Sequence, residues 1–187
     1  MRTFVAIDLD EHARASVGTV LDRFRTAISG VLWVRPDSMH MTLKFLGEIE
    51  KEDLPAVLEA ARAAATAAEP FRMRCGGVSG FPLRGTPRVI YVAVEEPTGR
   101  LAALAQALED RMEADACIPR EERGFTAHVT LGRLRHKHTC PPLSEVVRLA
   151  GHVPPWEMAV EEIVLMRSHR TPLGAAYERL AHIRLGR

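Results

Sequence analysis

The pattern His-x-Thr-Leu occurs twice in the chain, as His40-Met41-Thr42-Leu43 and as His128-Val129-Thr130-Leu131. In a β-strand successive side chains point to opposite faces, so His40 and Thr42 share one face while Met39, Met41, Leu43 and Phe45 share the other. His128 and Thr130 likewise oppose Ala127, Val129 and Leu131. Each strand therefore has an apolar face for a core and an imidazole with a hydroxyl on the reverse. Strict alternation assigns Phe45 to the core.

One such motif alone carries little weight. With eight histidines in the chain, about one His-x-Thr is expected by chance. His169-Arg170-Thr171 fits that description: no apolar alternation surrounds it, Pro172 follows at once, and the segment reads as a loop.

The two true motifs differ because their context repeats as well. Phe4-Val5-Ala6-Ile7-Asp8-Leu9 reads as a strand, and Ala13, Val17, Val20, Leu21, Phe24 and Ile28 then recur at helical spacing. Before the second motif, Val89 to Val94 reads as a strand, Thr98 is placed to cap a helix, and Leu101, Leu104, Leu108 and Met112 follow at intervals of three and four. Strand, helix, loop and His-strand thus occur twice, which predicts two related lobes with one histidine each.

Between and after the copies the elements are simpler. Gly30 and Pro36-Asp37 mark a turn, and Gly47 closes the first His-strand. A helix is predicted from about Asp53 to Ala68, with Pro55 tolerated in its first turn. Phe71, Met73 and Cys75 alternate with arginines as in a half-exposed strand, whereas Gly76-Gly77 and Gly80 to Pro87 are loop chemistry. The second copy ends at Gly132.

A short helix near Ser144 to Leu149, an extended run from Trp156 to Met166 and a last strand from Tyr177 to Leu185 follow. Tyr177, Ala181, Ile183 and Leu185 are expected on one side of that strand. The predicted class is α+β: a bilobal arrangement of two antiparallel sheets flanked by helices, with residues 1–187 forming one domain.

Composition removes several functions. Formal net charge is +1 with no long like-charge run, against a protein held on a duplex by bulk charge. Arginine outnumbers lysine by twenty-two to three, but the arginines are scattered, as a general composition bias would leave them. Cys75, Cys117 and Cys140 are odd in number and widely spaced, which favours a reducing cytosol over a disulfide scaffold.

Arg133, Arg135, His136, Lys137 and His138 form a short basic stretch before Pro141-Pro142. His136, His138 and Cys140 have no further ligand close by, and the stretch reads as a solvated loop rather than a metal site. No signal peptide and no membrane span are apparent, so a cytoplasmic protein is expected. Gly-x-Gly-x-x-Gly, P-loop, His-Glu-x-x-His and Gly-x-Ser-x-Gly patterns are missing from the sequence.

Two imidazoles facing one another suit a reaction in which one oxygen loses a proton while another gains one. Phosphodiester cleavage is such a reaction: a neutral histidine takes a proton from water, and an imidazolium gives one to the leaving alkoxide. Thr42 and Thr130 can donate their hydroxyl hydrogens to the non-bridging phosphate oxygens.

The paired motifs, with Trp33-Val-Arg-Pro, Lys44-Phe-Leu-Gly47, Gly132-Arg133 and Tyr177, resemble the 2H phosphoesterases. Within them they resemble the bacterial and archaeal RNA 2′,3′-cyclic phosphodiesterase, or 2′-5′ RNA ligase-like, branch, over essentially the whole chain. The resemblance implies pseudo-twofold symmetry, a central cleft and RNA with 2′,3′-cyclic phosphate ends as partner, tRNA fragments among them; the two-histidine scheme demands no metal, and no cofactor is expected. It also implies His40 as proton donor and His128 as acceptor; the symmetric motifs alone cannot make that assignment.

Two further site residues are open. Arg133 looks like a phosphate contact by the resemblance, yet alternation puts it opposite His128 unless Gly132 permits a bulge; otherwise it is a surface arginine. Phe125, beside the second motif, is a candidate for stacking on a base. A monomer is expected. The alternatives are a phosphodiesterase for a small cyclic nucleotide or an ADP-ribose cyclic phosphate, and a non-catalytic module that binds RNA ends.

Overall fold

The computed structural model describes residues 1–135, 138–171 and 174–186. In chain order the elements are β1 (Arg2–Asp8), α1 (Glu11–Ala27), β2 (Val31–Trp33), a 3₁₀ turn (Pro36–Ser38), β3 (His40–Glu48), α2 (Leu54–Thr66), β4 (Phe71–Phe81), β5 (Val89–Glu95), α3 (Arg100–Ala116), β6 (His128–Leu134), α4 (Leu143–Ala150), β7 (Trp156–Val160), β8 (Glu162–Thr171) and β9 (Gly174–Arg184). They make an α+β fold with two antiparallel sheets, in strand orders β3-β1-β8-β9 and β2-β6-β5-β4-β7. Without β2 the two orders superpose strand for strand, with β3 answering β6 and β1 answering β5. Among the described residues no helix is long and apolar enough to cross a membrane.

The helices form where the apolar spacing predicts them. Val17, Leu21 and Phe24 of α1 are fully buried, and the Asp10 carboxylate caps its first turn by accepting from the Ala13 amide at 2.7 Å. Helix α3 is capped differently from the prediction at Thr98. Gly99 is the cap residue, and the Glu96 carboxylate accepts from the Leu101 amide at 3.1 Å, while the Thr98 hydroxyl is spent on that same carboxylate.

The two sequence copies are interlaced rather than side by side. Helix α1 follows β1 of the first sheet yet packs on β7 of the second, and α3 follows β5 of the second sheet yet packs on β3 of the first. Strand β2, from the first copy, pairs with β6 of the second. One hydrophobic cluster accordingly runs through both, from Val5 and Ile7 of the first sheet to Val92 and Val129 of the second.

Several local expectations are corrected, most of them by bulges. Gly76-Gly77 is an irregularity within β4, where the partners step from Cys75↔Val94 to Val78↔Val92, and Gly80 stays paired to Ile90; the loop begins only beyond Phe81. The run Trp156 to Met166 is two strands broken at Glu161, one in each sheet. In β9 the register skips Leu180, so Tyr177 leaves the side of Ala181 and Ile183 and packs with Phe4, Ala6, Val164 and Met166 instead.

His169, Arg170 and Thr171 are not loop. They end β8, paired to β9, and the His169 imidazole lies 3.0 Å from the Glu178 carboxylate. Pro172, like His136 and Lys137, lies outside the described residues.

Strand β3 is tied to α3 by a buried ion pair. Lys44 has no solvent exposure; its ammonium donates to Glu109 at 2.7 Å and to the Pro119 carbonyl at 3.1 Å. Removing one partner leaves the other charge uncompensated, so Glu109→Gln is expected to lower the unfolding free energy by about 3 kcal/mol. Chemical denaturation of Glu109→Gln, Lys44→Met and the double variant checks this. The double variant should lose less than the sum of the singles.

Candidate active site

The site is built on two bulges at equivalent places. In β3 the partners on β1 step from Ala6↔Thr42 to Val5↔Lys44, leaving Leu43 as an extra residue. In β6 the partners on β5 step from Tyr91↔Thr130 to Ile90↔Gly132, leaving Leu131 extra. An extra residue reverses the alternation beyond it. Phe45 therefore returns to the face of His40 and Thr42, and Arg133 to the face of His128 and Thr130.

Phe45 is thus not a core residue. It is 44% exposed, with its ring 6.1 Å from Phe4. The residue turned inward in its place is Lys44. At the matching place Gly132 is required, because a Cβ there would stand 2.6 Å from Val31 and 2.7 Å from Trp33. Gly132 thereby admits β2 against β6, and β6 runs on to Leu134, past the end predicted for the second copy.

β3 and β6 touch one another, which brings the two motif faces together. Arg133 acts electrostatically on both His40 and His128, and also on Tyr177 of β9. The bulge alternative is the one found: Arg133 belongs to the cleft. Phe125 lies in the segment before β6 at 39% exposure, close in sequence to His128.

Each imidazole is held in the same way. His40 Nδ1 lies 2.9 Å from the Ser38 carbonyl and His128 Nδ1 lies 2.7 Å from the Thr126 carbonyl. A carbonyl only accepts, so each Nδ1 carries the hydrogen, and in the neutral ring Nε2 is left with a free lone pair. Aromatic rings fix the orientation: Phe4 and Tyr177 stand 4.7 and 4.8 Å from His40, and Tyr91 and Phe81 stand 5.2 and 5.3 Å from His128.

The electrostatics favour neutral rings in the free protein. Burial pushes His40 down to about 4, opposed by its hydrogen bond to Ser38 and by Asp8. Burial also lowers His128, opposed by the bond to Thr126, with Arg133 adding to the depression. Burial raises the Tyr177 phenol, against the pull of Arg133 and Arg2. A cleft with a fixed cation, two hydroxyls and two imidazoles short of protons is suited to an anion, whose binding stabilises an imidazolium that takes its proton from solvent.

Sequence reasoning placed His40, Thr42, His128 and Thr130 on the faces they occupy. It missed Phe45, because no residue type announces the bulge at Leu43. It also passed over Asp8, Tyr91 and Phe81, which act on the histidines from β1, β5 and β4. Among the described residues no three His, Cys, Asp or Glu side chains converge on one point.

A family model described as the 2′-5′ RNA ligase superfamily matches residues 13–172. The chain belongs to that superfamily. Among its relatives, a protein of Archaeoglobus fulgidus named RNA 2′,3′-cyclic phosphodiesterase is 35% identical over 180 residues, covering 96% of this chain and 98% of the relative. One of Thermus thermophilus with the same name is 36% identical, covering 95% of this chain and 86% of the relative.

Solved structures share the architecture. A crystal structure of a Thermus thermophilus protein aligns at a TM-score of 0.81 and 32% identity, covering 100% of this chain and 98% of that one. LigT of E. coli, in apo form, aligns at 0.77 and 23%, covering 100% and 98%; at that identity the likeness concerns the fold.

In the ligand-free protein, His40 is expected to titrate near pH 4 and His128 below 6.5 in histidine-resolved NMR. Saturating inorganic phosphate should raise both midpoints, because an anion between the rings stabilises the imidazolium. A ligand-free His40 midpoint at or above 6.5 would contradict the role given to burial.

Proposed function

We propose that the chain hydrolyses the terminal 2′,3′-cyclic phosphate of RNA, without a metal ion, leaving a 2′-phosphate and a free 3′-hydroxyl. The observation that carries this is the pair of matched bulges, which sets two His-x-Thr faces and Arg133 around one cleft. The names of relatives at 25–36% identity over most of the chain support the same substrate class.

In the reaction His128 Nε2 takes a proton from water, whose oxygen attacks phosphorus. The bond from phosphorus to the 3′ oxygen breaks, and that oxygen receives the proton carried on His40 Nε2. Thr42, Thr130 and Arg133 hold the non-bridging oxygens; a hydrogen bond to a charged partner contributes roughly 1.5–3 kcal/mol, more as charge develops in the transition state. Burial holds both rings below their ordinary range in the free protein, so the donor proton is taken up from solvent as the bound anion stabilises the imidazolium. When a 5′-hydroxyl replaces water, the same steps join two ends by a 2′-5′ linkage, and reversal exchanges the roles of the histidines. The high concentration of water makes hydrolysis the net direction.

The test is turnover of a cyclic-ended oligoribonucleotide with and without excess EDTA, the products being resolved by phosphorus NMR. Activity should persist in EDTA and yield the 2′-phosphate. Loss of activity that a divalent ion restores would defeat the metal-free mechanism, and a 3′-phosphate product would reverse the donor and acceptor.

Substituting the histidines separates the mechanism from mere binding. His40→Ala and His128→Ala should each cost about 10²–10⁴-fold in kcat with native circular dichroism, whereas His169→Ala, near the end of β8, should leave turnover unchanged. kcat/KM reports the free enzyme, which needs one ring protonated and one neutral. Because both rings titrate below 6.5, kcat/KM should peak on the acid side of that value and fall as pH rises. In the complex the bound anion raises the donor, and kcat should hold to higher pH.

A further inference from the structure

The motifs are symmetric but the reaction is not, so something outside them must distinguish donor from acceptor. Directly across from His40 in the β1–β3 register stands Asp8; directly across from His128 in the β5–β6 register stands Ala93. Each lies on the same face as its histidine. Asp8 is held in place from two elements: Arg14 of α1 binds Oδ1, and Arg179 of β9 binds Oδ2 at 2.6 Å, while the Leu9 amide donates to Oδ1 at 3.0 Å.

Arg14 also donates to the Pro36 carbonyl at 2.9 Å. That carbonyl accepts from the Met39 amide as well, so Arg14 anchors the turn whose Ser38 carbonyl orients His40. Asp8 thus both faces the ring and secures the arginine that steadies its support.

We propose that Asp8 is the positioning residue that breaks the pseudo-twofold symmetry of the cleft, supplying the one fixed carboxylate opposite a motif histidine and so making His40, not His128, the ring that carries the proton. The inference rests on the mechanism proposed above. The charges that act on His40 are Asp8 from β1, Arg133 from β6 and Arg14 from α1, and Asp8 is the strongest of them. Tyr177 of β9 meets the ring through its edge, and Arg179 of β9 reaches Asp8 rather than the ring. On His128 the only charge acting among the described residues is Arg133, from its own strand, with Tyr91 and Phe81 of β5 and β4 as ring neighbours.

Among the described residues the second lobe therefore offers its ring no carboxylate that would favour the proton. The first is built to let its ring hold a proton once a phosphate is bound beside it. In the free protein burial outweighs this, and His40 stands at about 4 with Asp8 already acting and the Ser38 hydrogen bond the larger opposing effect; His128 has a like bond to Thr126, so Asp8 is the opposing effect that the second lobe lacks.

The experiment compares pH profiles of kcat on a cyclic-ended oligoribonucleotide for the wild type, Asp8→Asn and Ala93→Asp, with His40 titrated by NMR in saturating inorganic phosphate. Asp8→Asn keeps the shape and an acceptor for the Leu9 amide but loses the charge. Its alkaline limb, set by the donor, should move acidward by about one pH unit, with about a tenfold loss on that limb and the acid limb unmoved. The His40 midpoint should fall with it. Ala93→Asp should move the acid limb to higher pH, because a carboxylate there stabilises the protonated form of the base and so raises its pKa.

A folded Asp8→Asn variant with unmoved alkaline limb and unmoved His40 midpoint overturns the proposal, even if its overall rate is lower, since a structural role changes amplitude and not position. If Asp8→Asn does not fold, Ala93→Asp decides, and an unmoved acid limb there is the overturning result. A wild type without turnover would defeat the proposed function instead, and the NMR titration would still read the effect of Asp8.

Discussion

Everything in the cleft depends on one extra residue just beyond the threonine of each motif strand. Without the bulges at Leu43 and Leu131, alternation would carry Phe45 and Arg133 into the helix-packed side and turn Lys44 toward the ligand. With them, each strand offers the same sequence of roles: histidine, threonine, then one residue more on the cleft face. In the first lobe that residue is apolar, in the second cationic. The bulges are held in register by what stands behind them, the Lys44–Glu109 ion pair in one lobe and Gly132 against Trp33 in the other.

The interlacing of the copies explains why two lobes can hold so exact a relation. Each long helix packs on the sheet of the other copy, so neither sheet shifts without disturbing a shared core. The segment before His128 is fastened to the other lobe as well. Lys44 binds the Pro119 carbonyl, the Glu121 carboxylate accepts from the Phe45 amide at 3.0 Å, and Glu109 also accepts from the Glu121 amide. The distance between two histidines on different sheets is thus set by groups that take no part in the chemistry.

Burial of the rings has two consequences that pull against each other. Packing against aromatic neighbours aims Nε2 and limits water, which strengthens every interaction with a bound phosphate. The same packing removes the proton that a donor needs. A cleft of this kind joins protonation to substrate binding, and the free protein remains in a form in which both rings are neutral at pH 7. The superfamily relation and the cleft chemistry meet at this point, because the charge of a cyclic phosphodiester monoanion lets a buried ring take up the missing proton from solvent.

From the sequence by itself came the α+β class, the places of all four helices with the bounds of α2 and α4 to within two residues, both His-strands and the four motif side chains. Those follow from local periodicity and from a doubled pattern, which tertiary contacts did not override. The parity of Phe45, Arg133 and Tyr177, the division of Trp156 to Met166 between two sheets, and the exchange of helices between copies were decided only in three dimensions. A bulge is a property of a strand pair rather than of a strand, and the partner of each strand is not written near it. The same holds for Asp8, thirty-two positions before His40 in the chain and directly opposite it in the sheet: the motifs supplied two equal histidines, and only the pairing of β1 with β3 made them unequal.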